Sequence, residues 1–568
     1  MKRLIAALIF VIFVCVSLCA QQPAPTPKKP DEPVTGVIDG RVVTENGQPL
    51  AGASVLVRAV NSVGNGRSTT SDVDGNFRVT GLEPALYTVN ANAPIYTTPL
   101  PSDPLTPNYY RIGETVRLEM IRGGAITGTV TNSVSEPVVA VRVRATMIRD
   151  AQGAIPKLVS FGLTEQSTDD RGVYRIYGLR PGTYIVSAGG TGFAPTFNPY
   201  EDDVPTFAPS STRDTAAEVV VRSGEDSTID IRYRGEQGHV ISGTVKLSAG
   251  NQGAQISLTQ AGSSVPFANT FQPDGARGFS FNGLADGDYD VVAQEVALNP
   301  ATLTIPTFSV SEPKRVSVKG ADVSGIELST RPLSSVSGKI ALEPTKAPEC
   351  QGKRPPLFSE TMVRLQRPEK ETEKEAMMVL RFISSSATPD ATGAFQLRNI
   401  IPGRYQFEPR FYARYWYLQS ITIPGGTPKP QKFDAAANWT TVKSGEPVSN
   451  LTITLAQGAA SIRGRVVVQE GATLPAMSLY LVPAEPGEVN NVLRYFMSDV
   501  GEDQTFTFNN LPPGRYFTYL DTRATTLTKF RQPEAAAERL KVRKSAETKK
   551  NEIELKPCQN LADYQLKP

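Results

Sequence analysis

Histidine, the commonest general acid–base residue in enzymes, is almost absent from this sequence. His239 is the single histidine among 568 residues. Zinc clusters and acid–base schemes that need more than one histidine are therefore excluded. His239 follows Gly238 at the start of a repeated unit, a position that favours a structural role. We therefore predict no catalytic residue, no metal site and no cofactor, unless carboxylates alone perform the chemistry.

Paired carboxylates could still support glycoside hydrolysis, which needs two acids and no metal. The clustered acids are Asp72 with Asp74, Asp169 with Asp170, and Glu201 with Asp202 and Asp203. They fall in turns and loops of a repeated scaffold, and repetition at matching positions favours a structural role. A carbohydrate-active enzyme that uses such pairs stays open as a second alternative.

The first of these acidic clusters also has the alternating oxygens of a calcium loop, because Asp72, Asp74 and Asn76 surround Gly75. The equivalent turns in other units lose an acid or change spacing, as in Asp170-Arg171-Gly172. A hairpin turn that uses Asp and Gly explains every copy. We therefore predict hairpins rather than ion sites.

One aromatic segment, residues 410–418, departs from the rest of the chain. If it is a strand, one face carries Phe411, Ala413, Tyr415 and Tyr417, and the other carries Tyr412, Arg414 and Trp416. The first face is the larger apolar load and should be core. The second is then an exposed platform that could stack on sugar rings or anchor a protein partner. Cover by residues 344–378 or by the next domain is the alternative.

Two cysteines, Cys350 and Cys558, lie outside the apolar amino-terminal segment. In an exported chain they can pair, and the bridge would tie a loop of the fourth unit to the end of the fifth. Free thiols or other partners are the alternative, because a sequence does not show whether the two Cα atoms come within reach.

A fixed spacing recurs five times: an aromatic residue, then Leu or Ile five positions later, then Tyr after five more. The sets are Phe77/Leu82/Tyr87, Tyr174/Leu179/Tyr184, Phe279/Leu284/Tyr289, Phe395/Ile400/Tyr405 and Phe506/Leu511/Tyr516. The tyrosines lie 97 to 116 positions apart. This period is too long for a solenoid and indicates a string of small domains.

Each unit opens with Gly and, two positions later, Val or Ile, continues through short alternating runs and turns rich in Asp and Gly, and closes on a further strand. About seven short strands with closely spaced turns are typical of a β-sandwich. The sequence therefore predicts an all-β tandem array of about five antiparallel β-sandwich (Ig-like/transthyretin-like) domains. The predicted boundaries are 36–122, 123–235, 236–331, 332–457 and 458–568. The closing strand of the fifth unit is predicted at Glu552 to Leu555.

The run from Gly36 to Val89 has a G-x-V opening, a D-x-x-G-x-F turn and an L-x-P-x-x-Y close. In these motifs it resembles the carboxypeptidase regulatory-like domain, a transthyretin-like seven-strand sandwich. The resemblance implies a fold and an extracytoplasmic setting, since in that family the domain is an accessory to enzymes, adhesins and outer-membrane receptors. It implies no catalytic residues.

The amino terminus predicts export. Lys2 and Arg3 precede an apolar run that ends at Ala20, so residues 1–20 read as a signal peptide. Cleavage after Cys19 or Ala20 is expected, with lipidation of Cys19 as an alternative. Residues 21–35 are a Pro-rich linker that would act as an extended spacer. No other stretch is long and apolar enough to predict a membrane span.

The charge is balanced once the signal is removed, because 59 basic residues minus Lys2 and Arg3 leave one more than the 56 acids. Such a surface gives no electrostatic footprint for nucleic acid. The basic stretch from Lys541 to Lys550 is interrupted by Glu547 and is predicted to be a solvated strand pair.

These observations together predict an exported, non-catalytic binding and spacing protein of the cell surface or periplasm. Polysaccharide is the favoured partner, through Tyr412, Arg414 and Trp416. A structural or adhesive array that contacts surface proteins is the first alternative, because exposed sheet edges can pair with other chains.

Overall fold

The computed structural model describes residues 35–60, 66–99, 108–155, 165–190, 199–248, 253–261, 266–272, 278–296, 309–368, 386–424, 432–467, 477–501, 503–522 and 526–566. The predicted signal peptide lies outside these residues, as does the linker up to residue 34. Within them, no helix combines the length and apolar character that crossing a bilayer requires.

The first two domains are each built from two sheets. The first domain contains β1 Gly36–Thr44, β2 Ser54–Ala59, β3 Arg67–Thr70, β4 Asn76–Leu82, β5 Tyr87–Asn92, β6 Tyr96–Thr97 and β7 Thr115–Arg122. Its sheets have the orders β4-β1-β7-β6 and β3-β2-β5. The second contains β8 Gly124–Thr131, β9 Arg142–Asp150, β10 Glu165–Ser167, β11 Val173–Leu179, β12 Gly182–Ala188, β13 Thr206–Phe207, β14 Val219–Val221, β15 Asp226–Thr228 and β16 Ile231–Arg232. Its sheets are β11-β8-β15 and β10-β9-β12-β13.

The third domain differs because one short strand joins its two sheets. It contains β17 His239–Lys246, β18 Gly253–Gln260, β19 Pro266–Gln272, β20 Gly278–Leu284, β21 Gly287–Val296, β22 Ser309–Ser311, β23 Lys314–Val318 and β24 Val323–Pro332. Pairing of β22 with both β21 and β24 makes a continuous sheet of order β19-β18-β21-β22-β24-β17-β20.

The fourth and fifth domains return to two separate sheets. The fourth contains β25 Ser334–Glu343, β26 Met362–Gln366, β27 Ser386–Ala387, β28 Ala394–Ile400, β29 Gly403–Arg410, β30 Trp416–Ile423, β31 Phe433–Asp434, β32 Thr440–Val442 and β33 Val448–Gln457. The fifth contains β34 Ala460–Val466, β35 Ser478–Pro483, β36 Phe496–Asp499, β37 Thr505–Leu511, β38 Gly514–Asp521, β39 Glu552–Leu555 and β40 Asn560–Leu566. Their sheets are β28-β25-β33-β30-β31 with β27-β26-β29-β32, and β37-β34-β40 with β36-β35-β38-β39.

The predicted fold class is confirmed: the chain is an array of five β-sandwich domains. One feature departs from a purely antiparallel sandwich. In every domain the opening strand pairs antiparallel with the strand that carries the first repeat aromatic and parallel with the closing strand. In the fifth domain this closing strand is β40, so the prediction of Glu552 to Leu555 was wrong; that segment pairs with β38 in the other sheet.

The repeated opening glycine is explained by close approach. It lies directly opposite the first repeat aromatic, as Gly40 does to Phe77. A Cβ on Gly40 would overlap the carbonyl oxygen of Val116 on the parallel closing strand and the Phe77 ring. The same clash with a closing-strand carbonyl meets Gly128, Gly243, Gly338 and Gly464. The glycine therefore lets the closing strand and the aromatic ring pack together.

The repeat tyrosines fix the turn before their strand. All ten repeat aromatics are at most 5% exposed. Each tyrosine hydroxyl donates to the backbone carbonyl four residues earlier, in the manner of a tyrosine corner. The pairs are Tyr87 to Glu83, Tyr184 to Arg180, Tyr289 to Ala285, Tyr405 to Ile401 and Tyr516 to Pro512, at 2.7 to 2.9 Å. The repeat spacing therefore marks aromatic residues that are buried in the core and a tyrosine whose hydroxyl forms a hydrogen bond to the backbone.

The fifth domain carries a helical layer. Helix α1 spans Leu527–Arg531 and helix α2 spans Ala536–Lys549. The prediction of a strand pair from Lys541 to Lys550 was wrong, since most of that stretch is the carboxyl half of α2. Its composition is rich in good helix formers, and Val542 and Ala546, four residues apart, pack against Tyr480 and Phe530 outside the domain core.

Candidate binding cleft between the fourth and fifth domains

The predicted aromatic platform does not form. Trp416 is 3% exposed and belongs to the core of the fourth domain, so the prediction that it is exposed was wrong. The physical reason is a turn: β29 ends at Arg410, β30 begins at Trp416, and the Trp416 amide donates to the Ala413 carbonyl. The strand alternation that the prediction assumed is therefore broken between these residues.

The other two predicted site residues lie apart. Arg414 is exposed and its guanidinium donates to the Ser461 hydroxyl of the fifth domain at 3.4 Å. Tyr412 is 39% exposed and lines a cleft of about 370 Å³ where the fourth and fifth domains meet. The structure therefore retains Tyr412 as a candidate binding residue and separates it from Arg414 and Trp416.

The cleft combines aromatic rings with planar polar groups. Its lining includes the aromatic residues Phe411, Tyr412 and Phe496 and the polar residues Gln366, Gln406, Glu408, Arg410, Asn510, Thr528 and Arg531. Its volume falls within the range of small-molecule sites, which are largely apolar with a few well-placed polar groups.

Strand β29 explains how one wall of the cleft is made. Tyr405 and Phe407 point into the core, whereas Gln406, Glu408 and Arg410 alternate with them. The neighbouring strand β26 places Gln366 opposite Gln406. Gln366 donates to a Glu408 carboxylate oxygen at 2.7 Å, which fixes both side chains. This polar row on a strand with a core face is the signal that sequence reasoning missed.

The fifth domain supplies the opposite wall. Arg531, the last residue of α1, donates through Nε to the Tyr495 carbonyl at 3.0 Å and through Nη2 to the Leu493 carbonyl at 3.4 Å. Its guanidinium lies 4.7 Å from the centre of the Phe496 ring. Burial lowers the pKa of Arg531 to about 10, although Glu408 opposes that shift. The arginine remains a cation at neutral pH, held in a partly desolvated position.

The junction that frames the cleft is locked at several points. Cys350 and Cys558 form a disulfide with an S–S distance of 2.00 Å. Asn510 donates to the carbonyls of Ala413 and Trp416 at 2.8 and 2.7 Å. Val492 and Leu493 of the fifth domain are buried in the apolar cluster of the fourth. The two walls of the cleft are therefore held in a fixed relation.

The first domain also reaches the rim of the cleft. The Arg111 guanidinium lies 4.4 Å from the centre of the Tyr412 ring, a cation–π arrangement. Arg111 is 3.9 Å from the buried Glu360 carboxylate, and the Leu86 amide donates to the Ser359 carbonyl. The array thus folds back so that its first domain contacts its fourth.

The acidic turns use their oxygens on backbone amides. Asp72 Oδ1 accepts from the amides of Asp74 and Asn76 at 3.0 and 2.7 Å, as the hairpin prediction requires. Asp390 makes the same pair of bonds with Thr392 and Ala394. Within the described ranges, no group of three or more His, Cys, Asp or Glu side chains is placed to hold a metal ion.

His239 stands at the boundary of the second and third domains, as predicted. It opens β17, and its ring nitrogens lie 3.6 Å from Asp286 and 3.7 Å from Asp322. Both carboxylates are more than 60% exposed. The arrangement is that of a surface polar contact at a strand start, distant in sequence from every residue that lines the cleft.

The fold and the cleft together define an all-β tandem array with a ligand-sized junction. The model of the carboxypeptidase regulatory-like domain matches residues 37–103, which confirms for the first domain the family predicted from its motifs. No curated protein sequence matches the chain.

Several solved structures are similar to the chain. The minor pilin GBS52 of Streptococcus agalactiae is 11% identical over 35% of this chain and 96% of its own, with a TM-score of 0.19. The TIE protein of Bacillus anthracis is 13% identical over 77% of this chain and 76% of its own, with a TM-score of 0.14. BcpA, the major pilin subunit of Bacillus cereus, is 14% identical over 52% of this chain and 99% of its own, with a TM-score of 0.15. We draw no functional conclusion from likenesses at these TM-scores.

Proposed function

We propose that this chain is an exported, non-catalytic array that binds carbohydrate in the cleft between its fourth and fifth domains. The observation that carries the proposal is the cleft lining, where aromatic rings adjoin amide, carboxylate and guanidinium groups. Aromatic faces pack against the apolar face of a sugar ring, and planar polar side chains hydrogen-bond its hydroxyl groups. The remaining domains act as a spacer between this site and the cell surface.

The non-catalytic part of the proposal is supported by the carboxylates. In the acidic turns, as at Asp72, the carboxylate accepts hydrogen bonds from backbone amides, and Glu408 accepts a hydrogen bond from Gln366. The first domain matches the carboxypeptidase regulatory-like domain, a family whose members are accessory domains and are not expected to supply catalytic residues. Export is supported by the signal-like amino terminus and by the disulfide, which forms in oxidising compartments.

A glycan array on the disulfide-bonded chain, followed by calorimetry, tests the proposal. Tyr412→Ala should weaken the captured glycan about tenfold, which corresponds to about 1.4 kcal/mol, because it removes an aromatic face from the cleft. Tyr177→Ala is the matched control, since Tyr177 is 56% exposed on the second domain. Capture of no glycan, or equal effects of the two substitutions, would show the proposal to be wrong.

A structural or adhesive array is the second candidate. The observation that favours it is the closed arrangement, in which the first domain contacts the fourth and a disulfide joins the fourth to the fifth. Such an array would bind a surface protein with an affinity that Tyr412→Ala leaves unchanged. A reducing-sugar assay on the captured glycan separates both candidates from the carbohydrate-active enzyme, which alone would release product.

A further inference from the structure

The charges in the cleft are unequal. Among the described residues that line it, Arg410 and Arg531 are cationic and Glu408 is the one acid. Arg410 is 41% exposed in its side chain, and its Nε lies 3.5 Å from Glu408 Oε1. Both arginines therefore present positive charge to the same space.

Glu408 also contacts a guanidinium that lies outside the cleft. Arg364, which is 7% exposed in its side chain, lies opposite Glu408 on β26, with Nη1 3.6 Å from Oε2. Gln366 donates to that same oxygen at 2.7 Å. The single acid of the cleft thus has a contact with a group outside it, and the described lining, with two arginines and one acid, carries a net positive charge.

Donors also remain for a ligand. Arg531 uses Nε and Nη2 on backbone carbonyls, and the described residues offer no hydrogen-bond acceptor to its Nη1. Arg410 has one contact with Glu408 through Nε, and the described part of the chain gives its terminal nitrogens no hydrogen-bond acceptor. A partly desolvated guanidinium is stabilised by an anionic acceptor, and its planar fork matches a carboxylate.

We infer that the saccharide bound in this cleft is acidic, with the carboxylate of a uronic acid residue accepted by Arg410 and Arg531 and the sugar ring against Tyr412. This inference rests on the proposed function and narrows its ligand class. Arg410 is the last residue of β29 and Tyr412 lies two residues beyond it, and both line the cleft. A neutral sugar would leave the net positive charge of this lining without a counterion, since Arg410 and Arg531 face one acid, Glu408.

Calorimetry with matched ligands tests the inference. Oligomers of galacturonate, glucuronate and mannuronate are each compared with their methyl esters, in which the carboxylate is neutral, and with a sulfated neutral oligosaccharide. At least one acid should bind about tenfold or more tightly than its ester. The affinity of the acid, and not that of the ester, should fall as NaCl is raised, because salt screens charge pairs.

Substitutions locate the effect. Arg410→Gln should weaken binding of the acid about tenfold more than it weakens binding of the ester, because only the acid loses an ionic contact. Arg175→Gln is the matched control, because Arg175 is an exposed arginine paired with Asp226 in the second domain. Equal affinity for acids and esters, or stronger binding of the sulfated sugar, would overturn the inference while the proposed function stands. Binding of no oligosaccharide on the glycan array would overturn both.

Discussion

The junction of the fourth and fifth domains differs in kind from the junction of the first and second. At the former, Val492 and Leu493 enter the neighbouring core and a disulfide crosses between domains. At the latter, the contacts are polar and partly exposed: the Ser223 hydroxyl lies 2.6 Å from the Glu45 carboxylate, and Arg180 donates to the Thr98 carbonyl at 2.8 Å.

This difference teaches that equal repeats do not make equal junctions. Apolar burial couples the folding of two domains, because removing one exposes part of the core of the other. Polar contacts at a surface contribute little to the free energy of unfolding, so each domain can unfold nearly independently. We therefore expect the fourth and fifth domains to unfold as one unit and the second to unfold separately. The cleft lies at the coupled junction, where its walls are held.

The largest expected effect comes from truncating a repeat tyrosine on each side of the comparison. Tyr184→Ala and Tyr516→Ala should each cost about 3–5 kcal/mol, since both remove a fully buried aromatic ring. Tyr184→Ala should melt the second domain alone. Tyr516→Ala should melt the fourth and fifth together, because the Tyr516 ring packs edge-on against Phe496 at the junction. Hydrogen exchange resolved by domain measures the effect of both substitutions. If Tyr516→Ala lowered amide protection in the fifth domain alone, the fourth and fifth domains would not be coupled.

The disulfide gives the next largest effect. Changing Cys350 and Cys558 together to Ser should destabilise the fourth and fifth domains by about 2–4 kcal/mol, because the bridge closes a loop of 208 residues in the unfolded chain. Calorimetric melting should show this loss in one transition and leave the other domains unchanged. Reductant should lower the melting temperature of the parent chain and have no effect on the double variant. If the double variant instead split that transition into two, the apolar contacts alone would not couple the domains.

A single interdomain side chain should contribute less. Asn510 has a left-handed φ of 56°, and Gly occupies the equivalent position as Gly81, Gly178 and Gly283 in the first three domains. Asn510→Gly therefore keeps the backbone unstrained and removes the two bonds to the fourth domain. We expect a loss of about 1–2 kcal/mol in urea unfolding.

Ser223→Ala is the counterpart at the polar junction. It removes the contact with Glu45 at an exposed site and should cost at most about 0.5 kcal/mol. Equal losses from Asn510→Gly and Ser223→Ala would mean that the two junctions are energetically alike, against the difference drawn from their structures.

The fold could be predicted because its determinants are local. The glycine and the aromatic residue of each repeat lie on paired strands, as Gly40 and Phe77 do, and the tyrosine lies on the next strand along the chain. Gly or Asn precedes each repeat Leu or Ile, which is a signal for left-handed backbone at that position. The sequence does not indicate that this conformation places Asn510 against the fourth domain.

The cleft could not be predicted because its parts are distant in sequence. Gln366, Arg410 and Arg531 meet only after two domains dock, and no periodicity reports that event. Trp416 was misplaced because the alternation of a strand was continued across a turn. The prediction for Lys541 to Lys550 was wrong because it considered only the interrupted basic charge of the stretch, whereas the residues of α2 favour a helix and pack on the outer face of a sheet.

The smallest expected effect is that of a chelator, and it should be the same on both sides of the comparison. Asp72 in the first domain and Asp390 in the fourth each accept two backbone amides through one carboxylate oxygen, which closes a hairpin turn without a cation. EDTA should therefore leave every melting transition unmoved, and added calcium should not raise any of them, because an ion that binds only the folded state would stabilise it by mass action. A drop of many degrees that calcium restores, in either the first domain or the coupled pair, would show that these turns are ion sites.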